Sequence, residues 1–186
     1  MPPFFEDYWI ALSKKMETMK SIVIMGVAGC GKSSVGARVA AATGMPLVEG
    51  DDHHSPANRS KMQQGIALTD ADREGWLATL SEQIRLHPQG AVVTCSALKR
   101  TYRDRLRAAA PDLLFAFLEI SRTDAQARVT ARAASHFFST SLVDNQFATL
   151  QSPTCEAGVL TLNAMQPLDG LQAAVTAWLA TYEETL

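Results

Sequence analysis

The 186-residue sequence has little of what marks several common classes of protein. Its three cysteines, Cys30, Cys95 and Cys155, are far apart and form no CxxC pair, so neither a disulfide framework nor a cysteine zinc site is expected. No run of about 18 consecutive apolar residues is present, which argues against a membrane-spanning helix. The formal net charge is only −2, which argues against a broad surface for binding nucleic acid or anionic membranes. These features predict a protein of the reducing cytoplasm, with neither nucleic acid nor membrane as a partner.

The length and composition predict one folded domain. Hydrophobic residues make up 47% of the 186 positions, which is enough for a substantial core. In the first nineteen residues Glu6 and Asp7 precede the lysines and no long apolar run follows, whereas a secretory signal has the opposite charge order. We therefore expect residues 1–19 to be an extension of unknown role and residues 20–186 to form the domain.

Short β-rich runs alternate with helical segments from Lys20 onward. The runs are continuously apolar, which is typical of strands buried on both faces of a parallel sheet. Strand–helix alternation of this kind predicts an α/β domain with right-handed crossovers. The predicted strands are Ser21–Met25, Pro46–Glu49, Ala91–Thr94, Leu113–Ile120 and Gly158–Leu162.

Helix-capping signals support the segments between these strands. Gly44 is a suitable helix stop, and Thr69 and Asp70 are suitable N-caps. The segment Thr123–Gln126 has the spacing of a capping box. The last helix is expected to bury an apolar stripe of Leu171, Val175 and Leu179.

The strongest motif is GVAGCGKS, from Gly26 to Ser33, which matches G-x-x-x-x-G-K-[ST] between a predicted strand and a predicted helix. Its glycines allow successive backbone N–H groups to point at phosphate oxygens, and the following helix adds the positive end of its dipole. Lys32 is predicted to reach the β- and γ-phosphates, and Ser33 to supply a hydroxyl to Mg²⁺. The nucleotide-binding residues are predicted to be Gly26, Val27, Ala28, Gly29, Cys30, Gly31, Lys32, Ser33 and Ser34.

The segment from Glu49 to Met62 follows the second strand and is expected to face the γ-phosphate, because ligands of open α/β sheets bind beyond the carboxyl ends of the strands. Asp51 is the candidate to accept the proton of an attacking hydroxyl, and the alternative is a loop carboxylate that caps the next helix. The adjacent His53 and His54 lack a third ligand at a recognisable metal spacing. His54 is instead a candidate to hydrogen-bond a polyhydroxylated substrate, while His53 is solvated or packed.

Two basic segments follow. Lys99 or Arg103 would suit a carboxylate or phosphate of the substrate, and the alternative is a solvated helix face. Arg128 and Arg132, at i and i+4, precede a loop-like segment and could form a lid that brings arginine onto the transferred phosphoryl group. The alternative for this pair is an ordinary surface site.

The phosphate loop alone fits a kinase, a GTPase or a nucleotide-gated regulator. No NKxD guanine-specificity motif is present, which weakens the GTPase interpretation. The remaining alternatives are a kinase for shikimate, another sugar acid or a nucleotide, a regulator that binds ATP without turnover, and a nucleic-acid kinase, which the near-neutral charge disfavours.

The chain resembles the gluconokinases, small phosphate-loop kinases related to the shikimate and nucleoside-monophosphate kinases. The resemblance rests on the phosphate loop and, in the same order along the chain, on more selective motifs: GDDHH…N..KM, LTDADREGW, CSALKRTYRDRLR, HFF, QFATLQSP and QPLDG. It implies a three-layer α/β/α phosphate-loop kinase fold with a mainly five-stranded parallel sheet and a helical lid at about residues 123–142. It also implies phosphorylation of D-gluconate by MgATP at the terminal hydroxyl, giving 6-phosphogluconate, and a homodimer.

The resemblance also implies roles for individual residues. Lys32, Asp51, Arg128 and Arg132 are then expected to be catalytic. Ser33 would be the protein ligand of Mg²⁺. The expected substrate-binding residues are Asp51, His54, Asn58, Lys61, Arg73, Lys99, Arg103 and His136.

Overall fold

Five short apolar runs form one sheet whose strands are all parallel. The computed structural model describes residues 19–132 and 140–182. The strands occur in the order β2-β3-β1-β4-β5. Their bounds are β1 Ile22–Met25, β2 Leu47–Glu49, β3 Val92–Cys95, β4 Leu114–Glu119 and β5 Val159–Asn163. The parallel sheet predicted from the apolar runs is confirmed, and each strand begins one residue later than expected.

Seven helices occur in the described ranges, together with a 3₁₀ turn at Gly50–His53 directly after β2. The helices are α1 Lys32–Thr43, α2 Pro56–Gln63, α3 Asp70–Leu86, α4 Arg100–Arg107, α5 Arg122–Arg132, α6 Thr140–Thr149 and α7 Leu168–Thr181. The predicted lid, at about residues 123–142, includes most of α5 and the start of α6, and its central residues 133–139 lie outside the described part. The predicted extension, residues 1–19, lies outside it as well except for Met19.

The side chains of β1 alternate between two hydrophobic cores, one on each face of the sheet. Ile22 and Ile24 are fully buried against α1 and α7, while Val23 and Met25 are fully buried against α3 and α4. A central strand without a polar residue therefore places helices on both faces, and the three-layer α/β/α architecture is confirmed. None of the helices within the described residues has the length and apolarity that crossing a membrane requires.

Local capping explains where two of the helices begin. At α3 the Thr69 hydroxyl accepts a hydrogen bond from the Asp72 backbone N–H, and the Asp72 carboxylate accepts one from the Thr69 N–H, so the predicted N-cap is confirmed. At α5 the predicted capping box at Thr123–Gln126 is wrong by two residues. The Ser121 hydroxyl accepts a hydrogen bond from the Asp124 N–H and donates one to the Asp124 carboxylate, so the helix begins at Arg122.

The strand order places the carboxyl ends of β1 and β3 at the centre of the sheet, where the chain changes direction. After β1 the chain crosses to β2 at one edge, and after β3 it crosses back to β4 on the other side of β1. Three connections meet at this edge: the phosphate loop after β1, the Gly50–His53 turn after β2 and the segment that follows β3. Such a switch point is where open α/β sheets bind ligands.

Candidate functional site

The phosphate loop links β1 to the first turn of α1, and its shape depends on glycine. Gly29 has φ +83°, and a Cβ atom there would lie 2.7 Å from the Ala125 carbonyl oxygen, so any side chain would clash with α5. The loop ends at Gly31, which is the N-cap of α1. The free N–H groups of the first helical turn therefore face the cleft together with the side chains of Lys32, Ser33 and Ser34.

The other predicted nucleotide-binding residues support the loop from behind. Lys32 Nζ lies 3.2 Å from the Val27 carbonyl oxygen and donates a hydrogen bond to it, so the lysine folds back over its own loop. Cys30 is 1% exposed, and a Cβ atom built on Gly26 would lie 2.8 Å from its sulfur. Burial raises the pKa of the Cys30 thiol. Gly26, Val27 and Cys30 thus shape the loop, while Ala28 and Gly29 join the lining of the cleft.

A carboxylate that the sequence analysis did not single out lies beside Ser33. Glu49 is the last residue of β2, and its Oε2 atom accepts hydrogen bonds from Ser33 Oγ at 3.2 Å and from Thr94 Oγ1 at 2.6 Å. Glu49 begins the polar segment after the second strand that sequence reasoning had marked as facing the phosphates. The position of Glu49 at the end of a predicted strand, where open α/β sheets bind ligands, is the sequence signal that could have identified it.

The Gly50–His53 turn carries Asp51 to the cleft and is held from two sides. Gly50 N–H donates to Thr94 Oγ1 at 3.2 Å, and Trp76 Nε1 donates to the Gly50 carbonyl oxygen at 2.7 Å. A Cβ atom at Gly50 would lie 2.1 Å from the Thr94 carbonyl oxygen, so only glycine fits this close approach. The Asp51 side chain is 81% exposed and lines the cleft, where it can meet a hydroxyl group.

His54 lines the same cleft, although its residue surface is only 6% exposed. Its ring stacks on Trp76 with 4.3 Å between the ring centroids, and its Nε2 atom lies 4.0 Å from Asp51 Oδ1. Burial lowers the pKa of His54 to about 4, despite the opposing effect of the Asp51 charge. The imidazole is therefore neutral near pH 7.

Arg73, in the first turn of α3, brings a positive charge to the cleft wall. The residue is 7% exposed and lines the cleft, and its guanidinium lies 5.9 Å from the centre of the Tyr102 ring. Among the described residues no carboxylate forms an ion pair with it. A buried cation without a partner charge is costly, so this position favours an anionic ligand.

Three other predicted substrate-binding residues are engaged outside the cleft lining. Asn58 Nδ2 donates to the Asp72 carbonyl oxygen at 2.7 Å, and Lys61 Nζ donates to the Asp72 carboxylate at 2.7 Å. Hydrogen bonds from Lys61 and from Thr69 lower the pKa of Asp72 to about 2. Lys99 Nζ donates to both carboxylate oxygens of Asp70 at 2.7 Å. These contacts fix α2 and α4 against the start of α3, and hence the wall that carries Arg73.

The structure gives Arg103 a role different from the predicted substrate contact. Its side chain is completely buried, and its guanidinium donates to the Glu156 carboxylate and to the carbonyl oxygens of Ala97 and Leu98 at 2.8 and 3.1 Å. Ala97 has φ +44°, an unusual conformation for a residue with a Cβ atom. With its donors engaged in this way, Arg103 holds the segment after β3 in place, so that Ser96 faces the cleft.

The predicted lid arginines are only partly described. Arg128 donates to the Gly29 carbonyl oxygen at 3.4 Å and to the Ala164 carbonyl oxygen at 3.1 Å. It therefore ties the phosphate loop to the segment after β5, and it is not among the residues that line the cleft. Arg132 ends α5, and its side chain lies outside the described part, as does His136.

Helix α6 lines the cleft beside the phosphate loop. Gln146 Oε1 accepts a 2.6 Å hydrogen bond from the Ala28 N–H of the phosphate loop. Leu142 and Asn145 of the same helix, together with Val129 of α5, continue this wall. The sequence contains the motif QFATLQSP, but only the fold reveals that its first glutamine reaches the loop.

The cleft bounded by these groups has a volume of about 580 Å³. On one side lie the phosphate loop and the first turn of α1, and on the other lie Asp51, His54 and Arg73. Arg59, Met62 and Leu68 complete the acceptor side. This space is within the usual range for small-molecule sites and brings phosphate-binding and hydroxyl-binding groups together.

The residues present fit MgATP. Ser33 Oγ and the Glu49 carboxylate offer hard oxygen donors beside the phosphate loop. No cluster of three or more histidine, cysteine or acidic side chains suited to a metal occurs among the described residues. In nucleotide sites Mg²⁺ is held by one or two protein oxygens together with substrate phosphates and water, and Ser33 and Glu49 offer such oxygens.

The chain is similar to known proteins in sequence and in structure. The chain matches the AAA domain family over residues 22–153. It is 41% identical to a gluconokinase of Gluconobacter oxydans over 146 residues, which covers 76% of this chain and 81% of that protein. It is 38% identical to a gluconokinase of Arabidopsis thaliana over 159 residues, which covers 77% of this chain and 84% of that protein. The crystal structure of a gluconokinase from Sinorhizobium meliloti superposes with a TM-score of 0.83 and 44% identity, covering 90% of this chain and 95% of that one. With a phosphate loop and an acidic acceptor turn in one cleft, and with these relatives, the chain belongs to the gluconokinase family.

Proposed function

We propose that this chain transfers the γ-phosphoryl group of ATP to the terminal hydroxyl of D-gluconate, giving 6-phospho-D-gluconate and ADP. The observation that carries the proposal is that the phosphate loop, Asp51 and Arg73 line one cleft. In this cleft the phosphate loop can bind the phosphoryl donor, Asp51 can contact the acceptor hydroxyl, and Arg73 can bind the carboxylate of a sugar acid. The gluconokinases among its relatives support the choice of substrate.

On the nucleotide side, the loop N–H groups and the start of α1 bind the phosphates. Lys32 is adjacent to this surface and can exchange its hydrogen bond with the Val27 carbonyl for one with a phosphate oxygen. Ser33 and Glu49 would hold Mg²⁺, directly or through its water molecules. When bound, the metal neutralises charge on the β- and γ-phosphates.

On the acceptor side, Asp51 orients the terminal hydroxyl and accepts its proton as the bond to phosphorus forms. A carboxylate in this role accelerates proton transfer by about 10²–10⁴-fold. Its place on a turn fixed by Thr94 and Trp76 limits its motion, and phosphoryl transfer depends mainly on such positioning. Arg73 binds the substrate carboxylate, which supplies the charge that the buried guanidinium lacks.

The proposal is tested by ADP release from MgATP with D-gluconate, epimers of gluconate, shikimate, glucose and AMP. Saturable turnover selective for D-gluconate is expected, with the phosphoryl group on the terminal oxygen by ³¹P and ¹³C NMR. Turnover selective for another acceptor would keep the kinase and reject the substrate. ATP binding without turnover on any acceptor would indicate a regulator instead.

The cytoplasmic location and the homodimer belong to the same proposal. All three cysteines are free, which supports a reducing compartment. The oligomeric state is measured by light scattering during size-exclusion chromatography, where the mass of a dimer is expected. A monomeric mass at assay concentrations would contradict the dimer and leave the reaction unaffected.

A further inference from the structure

Two polar groups face each other at the acceptor end of the cleft without bonding to each other. His54 Nε2 and Asp51 Oδ1 are 4.0 Å apart, beyond the distance of about 3 Å at which a hydrogen bond forms. Both residues line the cleft. The pair can therefore receive hydroxyl groups of a substrate, each group making its own hydrogen bond.

The position of the His54 ring is fixed by its surroundings. Its plane lies 15° from that of the Trp76 ring, and Trp76 is held in turn by its hydrogen bond to Gly50. A ring stacked and 94% buried in this way has little rotational freedom left to lose when a ligand binds. The His54 Nε2 atom is thus preorganised relative to Asp51.

The hydrogen-bonding state of the ring follows from its other nitrogen. His54 Nδ1 is buried and has no hydrogen-bond partner among the described residues. A buried N–H without an acceptor is rarer and more costly than an unused lone pair, so the proton of the neutral ring is placed on Nε2. The group beside Asp51 is therefore an N–H donor.

Resting on the proposed function, we infer that Asp51 and His54 together recognise the terminal diol of the substrate. Asp51 accepts from the hydroxyl that receives the phosphoryl group, and His54 Nε2–H donates to the oxygen on the adjacent carbon. Donation to the reacting oxygen itself would withdraw electron density from it and make it a weaker nucleophile toward phosphorus. His54 therefore determines specificity for acceptors with a hydroxyl beside the primary alcohol.

The test compares D-gluconate with its 5-deoxy analogue, which lacks only the adjacent hydroxyl. Wild-type kcat/KM should fall by about 10- to 100-fold on the analogue, because the buried N–H is left without its acceptor. His54→Phe keeps a ring against Trp76 and removes the N–H. This variant should lose a similar factor on D-gluconate and distinguish the two substrates by less than about 3-fold.

A structural role for His54 predicts another pattern, in which His54→Phe lowers activity on both substrates and keeps the wild-type ratio. That pattern, or a wild-type enzyme that does not distinguish the substrates, would overturn the inference. His53→Phe is the matched control and should keep the wild-type ratio. If His54→Phe does not fold, His54→Ala should show the same loss of discrimination between the two substrates. The comparison of D-gluconate with its 5-deoxy analogue on the wild-type protein tests the inference without any variant. Absence of wild-type turnover on D-gluconate would contradict the proposed function instead.

Discussion

Thr94 Oγ1 donates a 2.6 Å hydrogen bond to Glu49 Oε2 and so joins the ends of the neighbouring strands β3 and β2. The same threonine oxygen accepts from the Gly50 N–H, and the same carboxylate oxygen accepts from Ser33 Oγ. One side chain therefore links the carboxylate beside the phosphate loop to the turn that carries Asp51. This contact therefore fixes the position of the Asp51 turn relative to the phosphate loop.

Glu49→Gln should lower kcat by about 10- to 100-fold and raise the Mg²⁺ concentration needed for half-maximal rate. Glutamine keeps the size of the side chain and removes the charge next to Ser33. Initial rates over a Mg²⁺ titration at saturating gluconate measure both effects. Glu82→Gln, on the exposed face of α3, is the control and should behave as wild type. An unchanged Mg²⁺ dependence in Glu49→Gln would show that this carboxylate does not act at the metal.

Asp51→Asn should reduce kcat by about 10²–10⁴-fold while the Kd for ATP stays within about 3-fold of wild type. The amide can still contact the hydroxyl but cannot take its proton, and the phosphate loop is unchanged. Single-turnover rates and calorimetric titration with ATP separate the two quantities. The neighbouring Asp52→Asn serves as the control. A kcat equal to wild type would remove Asp51 from the proton transfer.

Arg73→Gln should raise the KM for D-gluconate by at least about 10-fold, because a buried charge-assisted contact to the substrate carboxylate is lost. The uncharged D-gluconamide should be affected much less. The ratio of kcat/KM values for the acid and the amide is the decisive measurement. Arg85→Gln, which removes an exposed arginine from the same helix, should leave this ratio unchanged. Equal losses on both substrates would indicate that Arg73 supports the fold only.

The central part of the fold follows from local sequence rules. Runs such as Ile22–Met25 are short and uniformly apolar, as buried strands of a parallel sheet are, and Gly44 ends α1 with φ +74° as a helix-terminating glycine does. The start of α5 was misplaced because Thr123 and Ser121 offer equally good local spacings. The fold selects Ser121, whose hydroxyl reaches Asp124.

The roles of the charged residues in the site were less predictable than the fold, because the sequence gives the charge of a side chain but not the group that it contacts. Arg103 and Arg73 look alike in the sequence, yet Arg103 is neutralised by Glu156, 53 positions away, and Arg73 faces the cleft. Arg128 likewise binds carbonyl groups that are distant in sequence. Long-range pairing of this kind is set by the tertiary fold.

Glu156→Gln should lower the free energy of unfolding by about 3 kcal/mol at pH 7, because it leaves the buried Arg103 without its counter-charge. Glu74→Gln, which breaks an exposed pair with Arg105, should cost less than about 1 kcal/mol. Urea denaturation measures both. A loss no larger than that of the control would contradict a structural role for the Arg103 pair.

The same pair predicts a dependence on pH. Hydrogen bonds from Arg103, and then from Arg107, hold the pKa of Glu156 below its ordinary value. As the pH falls, Glu156 therefore binds a proton in the unfolded chain before it does so in the folded protein. The stabilisation from the Arg103 pair is complete above the pKa of Glu156 in the unfolded chain, and it is lost as the pH falls through the pKa in the folded protein. Below about pH 4.5 the free energy of unfolding of Glu156→Gln should change less with pH than that of wild type. Parallel curves would assign the acid sensitivity to other groups.

Thiol labelling should modify one cysteine in the folded protein and three after unfolding in guanidinium chloride. Cys155 is exposed, whereas Cys30 and Cys95 are buried; burial raises the pKa of Cys30, and it raises that of Cys95 to about 12. Only the thiolate is reactive, so the cysteine inside the phosphate loop should resist alkylation and mild oxidation. Cys155→Ser should abolish fast labelling by iodoacetamide and keep full turnover after treatment. Inactivation of that variant at the rate of thiol modification would mean that the loop opens far enough to expose Cys30. The phosphate loop would then be sensitive to oxidation in spite of its packing.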